Sequence, residues 1–240
     1  MKLFFNILII SCLFTACKQE KERTFTVNDL SEIAYDTTMY LPEHYRKRVE
    51  GFSKTAMKNC NYLFLGNSIT EGGDWSKLLN DSTIVNQGIG GDVTFGVLRR
   101  LEHVAFQKPK LIFMMIGVND LRKKVPDSVI QANTLKIVSE IKQLLPDTKI
   151  FVQSVLPIHT DVADFPDDFD YSENILRVNA FLKDNESSHY TYVDLHSEFI
   201  DSKGQMDLLY TTDGLHLNEL GYNHWIKILR SYHDFGSDKI

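Results

Sequence analysis

The sequence predicts one α/β domain of three layers, α/β/α, around a five-stranded parallel doubly wound sheet. Three observations carry that expectation. Five short segments are apolar nearly throughout. Amphipathic stretches at helical spacing separate most of them. Polar and glycine-rich motifs follow several of the apolar segments directly. A strand that is apolar on both faces must be covered on both faces, which is the situation of a parallel sheet between helix layers.

The strands are expected at residues 62–65, 83–86, 111–116, 149–155 and 190–195. The first three end at or near Gly66, Gly88 and Gly117, and the fourth ends before Pro157. Helices are expected over 94–106, 126–145, 171–185 and 219–232. In the second, Ile130, Ile137, Val138, Ile141, Leu144 and Leu145 share a stripe, and Pro126 and Asp127 suit its first turn. In such sheets, ligand sites form outside the carboxyl ends of the strands.

Composition narrows the function classes. A chain of 240 residues, 43% hydrophobic and 24% charged, can bury one ordinary core. The net charge is −6, and no Lys/Arg cluster is longer than Arg46-Lys47-Arg48, so no nucleic-acid partner is expected. There are no repeats and no later linker, so residues 41–240 read as one domain.

The start of the chain reads differently. Lys2 precedes an apolar run over residues 3–14 that is too short to span a bilayer and fits a signal-peptide core. It ends in Leu13-Phe14-Thr15-Ala16-Cys17, which resembles a bacterial lipobox with Phe14 where an aliphatic residue is usual. Residues 1–16 are therefore expected to be a signal peptide. Cys17 is expected to be lipidated, and residues 17–40 to form a tether and lead-in segment. The implied location is the cell envelope, periplasm or cell surface, with the anchor as the membrane contact. A plain secretory signal with a chance cysteine is the alternative. Of three cysteines only Cys60 then stays free, and it reads as a buried structural thiol.

Four polar motifs carry chemistry. In Gly66-Asn67-Ser68-Ile69-Thr70, a serine just past a strand end sits where backbone N–H groups can face an anion; a plain helix N-cap reads equally well. Asn86-Gln87-Gly88-Ile89-Gly90-Gly91-Asp92 lets backbone approach a ligand closely. Val93 breaks the dinucleotide pattern, and no Walker sequence occurs, so no phosphate cradle and no cofactor are expected. Gly117-Val118-Asn119-Asp120 follows a buried strand, where the Asn119 amide can serve as a fixed donor or as turn chemistry. In Asp213-Gly214-Leu215-His216, a carboxylate three residues before a histidine can curl back to Nδ1 and leave Nε2 as base. The other histidines show no metal-ligand spacing; His196, after Asp194, is a rim candidate at most.

In this order, the four motifs resemble the blocks of the SGNH (GDSL-like) hydrolases, over residues 62–225. The resemblance implies a flavodoxin-like hydrolase fold. It implies Ser68 as nucleophile with Asp213 and His216 completing a triad. It implies an oxyanion hole from the N–H groups of Ser68 and Gly91 and the amide of Asn119. Asn67 stands where the family has aspartate, a position outside its catalytic roles. The branch resembled is that of platelet-activating-factor acetylhydrolase-like and sialate O-acetylesterase-like enzymes, which favour short acyl groups. No long apolar lid is visible, and residues 160–171 carry Asp161, Asp164, Asp167, Asp168 and Asp170. An acidic rim suits polar sugars better than lipid tails or anionic substrates. The expected substrate is thus a small-molecule or glycan ester, above all a carbohydrate O-acetyl group. A phospholipid or lysophospholipid esterase and a non-catalytic glycan-binding lipoprotein are the alternatives.

Overall fold

Tyr62–Gly66 is buried at every position and forms β1. Val85–Gly88 forms β2, Leu111–Met115 β3, Lys149–Gln153 β4 and Thr191–Val193 β5. All pair in parallel, in the order β2-β1-β3-β4-β5. This computed structural model describes residues 42–54, 60–163 and 170–235. The expected signal peptide, Cys17 and the tether lie outside the described residues, as do residues 164–169 of the acidic loop. Among the described residues no helix is long and apolar enough to cross a membrane.

The α/β class and the five-stranded parallel sheet are those expected. The chain leaves β1 for β2 on one side and returns to β3 on the other. The strand order reverses there, and crevices open at such switch points. On one face of the sheet, Phe64, Phe113 and Phe151 stand side by side, with centroids 5.1 Å and 5.0 Å apart. Trp75 stacks on Phe64 at 4.0 Å, and Trp225 meets Trp75 edge-on. These bring α3 (Trp75–Leu79) and α9 (Glu219–Tyr232) onto that face. Alternate residues, Leu63, Leu65, Ile112 and Met114, point to the opposite face and are equally buried. Cys60 is a free, buried thiol, and burial pushes it up to about 12, so it behaves as core.

The ends of several elements differ from expectation for identifiable reasons. The second strand begins at Val85 rather than 83, because Asp81 Oδ1 accepts both the N–H and the O–H of Thr83 and holds a turn there. The fourth stops at Gln153, because the Val155 N–H and C=O pair with the Asn179 side chain instead of a strand. The fifth stops at Val193, where the N–H groups of Leu195 and His196 turn to Ser154 Oγ.

The helix expected over 94–106 is two, α4 (Thr94–Leu98) and α5 (Leu101–Gln107). Arg100 breaks it at φ −122°, ψ 17°, and its fully buried guanidinium reaches Asp92 Oδ2 at 2.9 Å and the Gly66 carbonyl at 3.1 Å. Helix α7 (Asp127–Leu144) buries Ile130, Ile137, Val138 and Ile141. Leu144 is 50% exposed and leaves the stripe, while Leu145, just past the helix, still packs against the core. Helices α8 (Ser172–Asp184) and α9 lie where the periodicity puts them. Helix α1 (Pro42–Lys54) was not anticipated. It buries Tyr45 and Phe52 against Ile89, and the Tyr45 hydroxyl donates to the Gly96 carbonyl at 2.7 Å.

Candidate active site

Ser68 opens the short helix α2 (Ser68–Glu71), one residue beyond Asn67 at the end of β1. Asn67 is buried and caps that helix, its Oδ1 accepting the Ile69 N–H at 3.0 Å. Asparagine therefore does at this position the hydrogen-bonding work open to aspartate. The other end of the turn is gathered by Asn86, whose Nδ2 donates to the carbonyls of Thr70, Glu71 and Gly73. Both ends of the serine turn are thus fixed by buried or half-buried amides.

Ser68 Oγ lies 2.9 Å from His216 Nε2, and His216 Nδ1 lies 2.7 Å from Asp213 Oδ2. A carboxylate only accepts, so Nδ1 carries the ring proton and Nε2 is the acceptor for the serine hydroxyl. Asp213 curls back as its spacing suggests: Oδ1 accepts the N–H of His216 at 2.7 Å and of Leu215 at 3.0 Å. Gly214 makes this possible with φ +81°, packed against the backbone of His159 and Ala163. Thr211 Oγ1 closes the loop by donating to the His216 carbonyl at 2.7 Å. Burial pushes the Asp213 carboxyl up, but the side-chain bond to His216 and the two N–H groups outweigh it and hold it below the usual range.

The glycine block and the Asn119 turn meet beside the serine turn. Gly66 pairs with Gly88 in β2 and with Met115 in β3, so the three strand ends are adjacent. The Ile89 N–H donates to the Gly66 carbonyl, and a turn then brings the Asp92 N–H to the Ile89 carbonyl. Gly91, inside that turn, has φ +75°, a conformation that favours glycine. Asn119 lies in α6 (Val118–Arg122), and its Nδ2 donates to the Asp92 carbonyl at 2.9 Å, leaving one amide hydrogen. Among the described residues, the N–H groups of Ser68 and Gly91 go to no carbonyl of the surrounding turns. The geometry offers a hydroxyl next to a base, with two main-chain donors and one amide on adjoining turns.

Sequence comparison identifies the family at this point. The GDSL-like Lipase/Acylhydrolase family matches residues 64–224, a span that holds every motif above. The chain belongs to that family. Among curated relatives, platelet-activating factor acetylhydrolase IB subunit alpha2 of Rattus norvegicus is 28% identical over 185 residues, covering 74% of this chain and 76% of the relative. A solved structure from Streptococcus pneumonia, described provisionally as a platelet activating factor, is 29% identical with a TM-score of 0.74, covering 80% and 94% of the two chains. A carbohydrate esterase family 3 structure from Talaromyces cellulolyticus shares the fold at 17% identity and TM-score 0.55, covering 72% and 95%.

In this GDSL-like acylhydrolase, a buried polar network lies directly beneath the turn that carries Gly91. Asp120 is fully buried, and both of its oxygens accept the Thr94 N–H while Oδ1 also accepts the Thr94 hydroxyl at 2.6 Å. Burial pushes its carboxyl up to about 7 against the pull of those bonds. Asp92 is likewise raised by burial, opposed first by Arg100. Asn119 and Asp120, neighbours in α6, thereby hold residues 92 and 94 of that turn.

The sequence reading placed Asp92, Asp120 and Glu71 inside motifs without giving them roles, and gave none to His44 and Arg48 in the site. Glu71 accepts the Gly90 N–H at 2.6 Å and is met by His44 and Arg48 from α1. The only signal was an acidic residue three positions after the serine. His196 is lowered by burial, partly offset by Asp194, and its main chain serves the β5 turn. Among the described residues, no group of His, Cys, Asp and Glu could hold a metal ion.

Proposed function

We propose that this acylhydrolase is a serine esterase for short acyl groups, above all acetyl groups carried as O-esters on carbohydrates, acting from a lipid anchor at Cys17 in the cell envelope. The observation that carries the esterase part is the chain of contacts from Ser68 Oγ through His216 to Asp213, at 2.9 Å and 2.7 Å. Ser68 attacks the ester carbonyl and forms the Oγ–C bond as its proton passes to His216 Nε2. Asp213 holds the imidazole and stabilises the imidazolium. The Ser68 and Gly91 N–H groups and the remaining Asn119 amide hydrogen receive the oxyanion. The C–O bond to the alcohol then breaks, and His216 returns its proton to the departing alcohol. Water, deprotonated by the same base, releases the acid from Ser68.

Support for the acetyl preference comes from the name of the rat relative, an acetylhydrolase. Support for a neutral sugar comes from the aspartates of residues 160–171. The start of that segment abuts the Asp213 loop, since the His159 N–H donates to the Gly214 carbonyl at 2.9 Å.

A second reading, an acetylated phospholipid as substrate, is favoured by a specific feature. Leu208, Leu209 and Leu220 are each more than half exposed, and the first two stand close before Thr211 and the His216 turn. The test compares p-nitrophenyl acetate, butyrate and octanoate, then acetate release from an O-acetylated oligosaccharide and from an acetyl-bearing choline phospholipid. The proposal expects acetate esters first and the oligosaccharide ahead of the lipid. The reverse order on the last pair selects the lipid reading, and octanoate cleaved best overturns the short-acyl preference.

A further inference from the structure

Gly90 and Gly91 have no side chains to hold them, yet the direction of the Gly91 N–H depends on how the peptide between them is turned. Their neighbours are pinned: Gly88 by Arg48, and Asp92 by Ile89 and Asn119. The peptide just before Gly90–Gly91, that of Ile89–Gly90, is held on both sides: its carbonyl accepts the Asp92 N–H, and its N–H goes to Glu71. The Gly90 N–H donates to Glu71 Oε2 at 2.6 Å, a short charge-assisted bond.

Glu71 is well built for that work. It ends the helix that Ser68 begins, so it ties the loop of Gly91 to the turn of the nucleophile through three residues of chain. Its main chain is fixed at both ends, the N–H by the Asn67 carbonyl and the carbonyl by Asn86 Nδ2. A Cβ at Gly88 would run into the Glu71 backbone, so β2 can approach this closely only with glycine there. Two residues of α1 orient the carboxylate. His44 Nε2 lies 2.9 and 3.1 Å from its two oxygens, and Arg48 Nε lies 3.1 Å from Oε1. Arg48 spans the rest of the gap by donating Nη2 to the carbonyl of Gly88 at 2.8 Å. Glu71 is 24% exposed, so these bonds are partly shielded from water.

We infer that Glu71 is a positioning residue for the oxyanion hole: its carboxylate, held by His44 and Arg48 of α1, fixes the Ile89–Gly90 peptide, the unit directly before the one that carries the Gly91 N–H, and so restricts that N–H to point at the oxygen that becomes negative. The inference rests on the serine-esterase reading. It also gives α1 a function: the helix that follows the proposed tether becomes part of the active site's support. Glu71 touches no reacting atom, so its loss should weaken transition-state binding and leave ground-state binding nearly intact.

The test is steady-state hydrolysis of p-nitrophenyl acetate by the full chain, wild type against E71A and E71Q, with phosphonylation of Ser68 by a fluorophosphonate as a second rate. E71A should lower kcat roughly 10- to 100-fold, the scale of a misplaced catalytic group, with KM held within about twofold. The phosphonylation rate should fall in parallel, since it too builds charge in the hole. E71Q keeps a carbonyl oxygen for the Gly90 N–H and should recover part of the loss. Should E71A not fold, H44A and R48A carry the same test, because each strips an anchor and leaves the carboxylate; both should lower kcat several-fold at unchanged KM. Wild-type kcat in all of these, or a loss expressed in KM alone, overturns the role of Glu71. A wild-type chain that neither turns over the ester nor takes up phosphonate on Ser68 overturns the esterase reading instead.

Discussion

Ser68 and His216 are 148 positions apart in the chain, and Ser68 Oγ is 2.9 Å from His216 Nε2. The contact is held by more than the loop that carries the histidine. Helix α9 begins just after that loop, and its Tyr222 hydroxyl donates to the Ile69 carbonyl at 2.7 Å, next to the serine. The Asn218 side chain ties the start of α9 to the carbonyls of Leu209 and Thr211. Helix α9 therefore links the two: Tyr222 ties it to the turn of Ser68, and Asn218 ties its start to the segment that leads into the His216 loop.

Asn119→Ala should lower kcat by about 100- to 1,000-fold with KM little changed, because it removes one of the proposed oxyanion donors. It should also destabilise the fold by about 1–2 kcal/mol, because the Asp92 carbonyl loses its bond from Asn119 Nδ2. Steady-state kinetics with a denaturant titration separate the two effects. An unchanged kcat would remove Asn119 from the oxyanion hole.

The acid limb of the pH profile should report one proton. In the proposed mechanism, His216 accepts the Ser68 proton as a neutral base. Asp213 is held below the usual carboxylate range, so it stays ionised above that range and should add no second proton to the limb. A plot of log kcat/KM against pH should thus rise with a slope of about one on the acid side. A slope near two would mean that Asp213 loses its charge in the same range.

Asp120 should make the fold less stable as pH rises. Its carboxyl is pushed up to about 7 in the folded chain, so between the unfolded value and 7 the folded state holds a proton that the unfolded state has released. Stability is then lost with rising pH across that window, at up to roughly 1.4 kcal/mol per pH unit, and the loss levels off above it. Asp120→Asn cannot titrate, and its unfolding free energy should lack that slope. Denaturant titrations of both proteins at several pH values check this; parallel pH dependences would contradict it.

Much of this fold is legible because its strands are buried on both faces. A run such as Leu111 to Met115, five apolar residues in a row, leaves little choice of element. Element ends were less legible, since several were set by partners far away in sequence. Arg100 breaks a helix in order to reach Asp92 and Gly66, and Ser154 ends β5 from 41 positions away. Helix α1 was hidden because few apolar residues, Tyr45 and Phe52 among them, are spread among charges such as Arg46, Lys47 and Arg48. Most of the site motifs were ambiguous one by one, a nucleophile or donor reading beside plain turn chemistry, and their order gave them meaning. The support under them was not readable: Glu71 meets Gly90 across 19 positions and His44 across 27, and neither spacing belongs to a helix or a strand.

The most direct test of the central claim is covalent labelling of the full chain with a fluorophosphonate, read by intact mass and peptide mapping, for wild type and Ser68→Ala. The account predicts one phosphonyl group on Ser68 in the wild type and none in the variant, with ester hydrolysis lost in both the labelled wild type and the unlabelled variant. An unlabelled wild type, or a variant that keeps full activity, would contradict it.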